Sequence, residues 1–79
     1  MLLESKLKQA ALRTAVDVSL KRIKKSPERC ARNLIELGVT AYPKSITPKE
    51  RQDLYQKLLE ICKREDNEEA KTLFFNTFH

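Results

Sequence analysis

The chain has 79 residues, of which 41% are hydrophobic and 34% charged, with a formal net charge of +5. That length leaves room for one small domain and excludes a two-domain enzyme. The apolar fraction is too high for a disordered chain, and no apolar run approaches the roughly 20 residues needed to cross a bilayer.

One Gly and three Pro are too few for a sheet protein, which needs turn residues about every ten positions. The expected fold is therefore all-α: a single domain over residues 1–79, built as a small bundle of three to four helices. A domain this short buries only roughly 60% of the surface its unfolded chain exposes, so a second copy or a partner is expected to help hold it together.

The first predicted helix spans about residues 2 to 25, a segment without Gly or Pro and about 35 Å long at 1.5 Å per residue. Its apolar residues form two stripes rather than one. Leu12, Val16, Leu20 and Ile23 make a narrow seam suited to the core. Leu3, Leu7, Ala10, Ala11 and Val18 lie on nearly the opposite side and are the candidate surface for a partner. Residues 1–25 hold seven basic and two acidic side chains, so the whole net charge sits on this segment. Lys21, Arg22, Lys24 and Lys25 are expected in the last helical turn, where cations complement the unpaired carbonyls. With Arg29 and Arg32 they also form the candidate contact for an anion or a nucleic acid.

Ser26-Pro27-Glu28 predicts the second helix start: Ser26 as N-cap, Pro27 where no N–H is needed, and Glu28 at the positive end. This helix is expected to end near Leu37, with Gly38 as a left-handed residue just beyond it. Residues 39 to 47 then read as the longest connection, with Val39 and Tyr42 tucked beneath it. Thr47-Pro48-Lys49-Glu50 is a capping box that opens a third helix reaching about Arg64, whose apolar face carries Leu54, Tyr55, Leu58, Leu59, Ile61 and Cys62. Asp66 and Glu69 repeat the pattern for a short fourth helix after a break, since the apolar phase shifts between Ile61 and Leu73. Phe74, Phe75 and Phe78 crowd the end of the chain. They read chiefly as core, and in a sharper reading as an aromatic anchor for a partner.

Catalytic chemistry is not expected. His79 is the only histidine, so neither cysteine has a base near it in sequence, and Cys30 and Cys62 fall on apolar faces where thiols act as small hydrophobes. Two cysteines do not make a metal cage. The acidic cluster Glu65, Asp66, Glu68 and Glu69 has neither the spacing nor the glycine of a calcium loop, and one glycine cannot supply a phosphate loop. No cofactor, metal or catalytic residue is expected. The start of the chain lacks the apolar region of a secretory signal, so the expected setting is cytoplasmic with both thiols free.

The expected function is a non-catalytic protein–protein interaction or regulatory module. It would self-associate, as a homodimer, through Leu3, Leu7, Ala11 and Val18, or else use Phe74, Phe75 and Phe78. The alternative is a nucleic-acid-binding regulator using Lys21, Arg22, Lys24, Lys25, Arg29 and Arg32. Attachment to a membrane surface fits less well, because the basic residues cluster at one end of the first helix.

Overall fold

The computed structural model describes the backbone of residues 2–78 and the side chains of residues 7–78. His79 and the side chain of Leu3 therefore lie outside the described residues. The fold is all-helical: α1 Leu2–Leu20, α2 Pro27–Ala41, α3 Pro48–Lys63 and α4 Asn67–Thr77, with no strand among the described residues. α2 and α3 share the broadest contact, α1 packs against α2, and α4 packs against α3.

Each of the last three helices begins at the residue its sequence specifies. Ser26 Oγ accepts from the Arg29 N–H at 3.3 Å. At α3 the capping box is complete, with the Glu50 N–H donating to Thr47 Oγ1 at 3.2 Å and the Thr47 N–H to Glu50 Oε1 at 3.0 Å. Asp66 Oδ1 accepts from the Glu69 N–H at 3.0 Å. These bonds satisfy amide groups that have no partner within the first helical turn, and they fix where the chain changes direction.

One core runs through all four helices. It contains Leu12, Val16, Leu20 and Ile23 from α1 and the turn after it, Cys30, Ala31, Leu34 and Ile35 from α2, Leu54, Leu58, Ile61 and Cys62 from α3, and Ala70, Phe74 and Phe78 from the C-terminal end. Of the two stripes on α1, the narrow seam is the buried one. Each fully buried Val, Leu, Ile or Phe contributes about 1.5–3 kcal/mol relative to an exposed side chain, and this offsets the entropy of ordering the chain. No buried side-chain N or O among the described residues lacks a hydrogen-bond partner.

Two helix ends differ from expectation. α1 stops at Leu20 rather than near residue 25. Beyond it the chain tightens into three-residue turns, with N–H to O=C bonds from Arg22 to Ser19, Ile23 to Leu20 and Lys25 to Arg22. Ile23, carried on these turns, still reaches the core and is buried. Lys21, Arg22, Lys24 and Lys25 therefore occupy a turn rather than the last turn of a helix, and backbone amides of the turn take up the carbonyls of Asp17, Ser19 and Leu20.

The other difference is at Gly38. It does not end α2; the helix continues to Ala41, and Gly38 has no positive φ. The ring of Phe78 lies against it, so a β-carbon there would overlap the ring. Glycine is used here for close approach. The longer α2 shortens the connection to α3 to residues 42–47. The break between α3 and α4 is as expected, and the residue that takes the left-handed conformation is Glu65, with φ 60°.

Candidate interaction surface

The outer face of α1 is where apolar surface remains uncovered. Residues 7–11 are all exposed, and among the described side chains of the helix the first buried one is Leu12. Leu7 is 64% exposed and Val18 49%. Ala10 and Ala11 lie between them on the same side and are also exposed. Thr14 joins this stripe because its hydroxyl donates back to the Ala10 carbonyl at 3.0 Å, which settles its polar group within the helix and leaves its methyl to face outward. Sequence periodicity alone did not bring Thr14 into the stripe, since a hydroxyl counts as polar until its partner is known.

Beside the stripe, α1 and α2 enclose an open groove of about 440 Å³ lined by Ala15, Val18, Leu37 and Thr40, with Glu36 at its rim. Val18 belongs to both the stripe and the groove. On the other side, α1 is tied to α4 by an ion pair between Asp17 and Lys71 at 2.9 Å. That hydrogen bond and the Asp17 charge raise the Lys71 pKa. Both groups are well exposed, so the pair adds little stability but marks the flank of α1 that faces α4. The Arg13 guanidinium also lies 5.1 Å from the centre of the Phe75 ring.

The terminal aromatic residues divide. Phe74 and Phe78 are 0% and 2% exposed, so neither is open to a partner, which corrects the reading of these two as an anchor. Their rings lie 5.1 Å apart, tilted by 45°, and Phe74 meets Phe75 edge-on at 5.0 Å. Phe78 is seated against Gly38. Phe75 is half-buried beneath Arg13.

The basic residues expected to contact an anion do come together in the α1–α2 turn and the first two turns of α2. Lys21, Arg22, Lys24, Lys25, Arg29 and Arg32 are all exposed. The ion pairs among the described residues are Arg64–Glu69 and Lys71–Asp17, so none of these six cations is in one.

Cys30 on α2 and Cys62 on α3 are free and fully buried. They hydrogen-bond to each other, which lowers the Cys30 thiol pKa and, with burial, pushes the Cys62 thiol far up. No group of three metal-ligating side chains occurs among the described residues, and no helix there is long and apolar enough to cross a membrane.

Comparison with known proteins yields no match to a family model, a curated protein or a solved structure.

Proposed function

We propose that this chain is a non-catalytic helical interaction module that associates with a second copy of itself through the outer face of α1. One observation carries the reading: Leu7 and Val18 are the exposed large hydrophobic residues among those described, and both lie on one face of one helix. Single exposed apolar residues are ordinary on protein surfaces. An aligned pair joined by Ala10, Ala11 and the Thr14 methyl is a contact surface. The side chain of Leu3, expected on the same stripe, is outside the described residues and is not needed for the argument.

Sedimentation across a range of protein concentrations tests this reading. The native chain is expected to show a monomer–dimer equilibrium, and Leu7→Glu with Val18→Glu to abolish it while leaving the helical circular dichroism unchanged. A native chain that stays monomeric up to millimolar concentration would overturn it.

A second reading, a nucleic-acid-binding regulator, is favoured by the six exposed cations of the α1–α2 corner, none of them in an ion pair among the described residues. Such binding would weaken steeply with salt, by a log–log slope of about −0.9 per neutralised phosphate on duplex DNA. Against a helix-turn-helix mode, residues 42–47 between α2 and α3 make a longer connection than the three or four residues of that motif. Unchanged nucleic-acid mobility at low salt would exclude this reading.

A further inference from the structure

We propose that the second copy docks antiparallel along α1, so that Leu7 of each chain sits in its partner's groove between α1 and α2 and Lys8 meets the Glu36 at that groove's rim. The proposal rests on the self-association reading above and adds to it a direction, a register and a charge contact.

The direction comes from the spacing of the stripe. Leu7, Ala11, Thr14 and Val18 are separated by 4, 3 and 4 residues, a pattern that reads the same from either end. A two-fold axis across α1 between Leu12 and Arg13 therefore sets Leu7 opposite the partner's Val18 and Ala11 opposite the partner's Thr14. Such self-matching is what an interface between two identical surfaces requires. The large residues lie at the ends and the small ones at the centre, so the helix axes can approach closely where they cross.

The groove supplies the seat. Val18 forms part of its wall along with Ala15 and Leu37, so a leucine brought opposite Val18 enters an apolar recess already present in the monomer.

Charge supplies the flank. At about 100° per residue, Lys8 is turned from Leu7 toward the side of α1 that carries Ala15 and Ser19, which is the side lining the groove with α2. A two-fold axis keeps like flanks together, so Lys8 overhangs the partner's α2 at Glu36. Both residues are exposed, and neither takes part in an ion pair within the chain among the described residues. Asp17 points to the opposite flank, where Lys71 holds it. An interface of one helix face and one recess falls at the small end of specific contacts, so the expected affinity is micromolar or weaker.

The test mixes equal amounts of a Leu7→Cys chain and a Val18→Cys chain under mild oxidation, with the buried Cys30 and Cys62 out of reach. The expected result is a disulfide between the two different chains in excess of its statistical share. Reverse-charge variants then address the rim. Lys8→Glu and Glu36→Lys should each weaken dimerisation about tenfold, because the contact occurs twice, and the chain carrying both changes should recover most of it. Cross-links chiefly between like chains, or no recovery in the doubly reversed chain, would overturn the docking arrangement while leaving self-association standing. A native chain that sediments as a monomer throughout would overturn both.

Discussion

Substituting Gly38 by alanine isolates the long-range contact that closes this fold. In an exposed helix the change is favourable by about 0.8–1.0 kcal/mol, because glycine gives up more backbone freedom on folding. In α2 the added carbon would overlap the Phe78 ring, and Phe78 is only 2% exposed. Overpacking costs about 1–3 kcal/mol, and because the added carbon would overlap three atoms of the ring the upper part of that range, about 2–3 kcal/mol, applies, so the expected net effect is a destabilisation of about 1–2 kcal/mol. For a domain of this size that lowers the melting temperature by about 4–16 °C. The control is the same substitution in a Phe78→Ala chain. Removing the ring costs about 3–5 kcal/mol by itself, so both measurements belong in a stabilising osmolyte. With the ring gone, Gly38→Ala should stabilise by about 1 kcal/mol, which reverses its sign and gives a coupling of about 2–3 kcal/mol between the two positions. Urea unfolding followed by far-ultraviolet circular dichroism measures all four chains. If Gly38→Ala stabilises the native chain as much as it stabilises the Phe78→Ala chain, Phe78 does not occupy the glycine's surface and the account of α2 is wrong.

Glu65 and Glu50 offer two further tests. Glu65 holds a left-handed conformation, φ 60°, which costs a residue with a side chain about 1–2 kcal/mol; glycine avoids that cost but loses more entropy. Glu65→Gly is therefore expected to stabilise by about 0.5–1 kcal/mol in urea unfolding, and a destabilised variant would count against the helix-end geometry. At Glu50, the Thr47 backbone N–H bonded to its carboxylate, helped by the Thr47 side chain, lowers its pKa below the ordinary 4.5. A carboxyl group depressed on folding stabilises above its unfolded pKa, and that contribution is lost as pH falls through the folded one. Melting temperatures measured from pH 6 down should therefore fall less steeply below about pH 4.5 in Glu50→Gln, which keeps an acceptor for the Thr47 N–H without the titration. Identical acid limbs in the two chains would show that the capping carboxylate does not couple to folding.

What could be read from the sequence depended on how far the cause lay from its effect. Ser26, Thr47 and Asp66 were legible as helix starts because each bonds an amide three residues on. The buried seam of α1 was legible from periodicity, since Leu12, Val16, Leu20 and Ile23 reach one side of the helix whatever packs there. Gly38 was not legible. A lone glycine after an apolar helix reads as a terminator, and what makes it a packing surface is an aromatic ring at the far end of the chain. The early end of α1 was hidden because Lys21, Arg22, Lys24 and Lys25 are good helix formers and no Gly or Pro before Ser26 marks a stop. Of the candidate site, Leu7 and Val18 could be placed on the outer face from spacing. The groove beside them could not, since Leu37 and Glu36 come from another helix.

The position of the exposed stripe links association to the stability of α1 itself. Residues 7–11 are all exposed, so this part of the helix is held mainly by extension from the packed turns at Leu12 and beyond. Helices shorter than about 12–15 residues are marginal in water unless packing supports them. A second copy laid along the stripe would place the partner's Val18 and groove over Leu7, adding tertiary contact to these exposed turns. Any free energy gained in dimerisation then also stabilises the folded chain by mass action, which matters for a domain with so little surface to bury. The same outer face that makes α1 dispensable to the core on its exposed side makes it available to a partner.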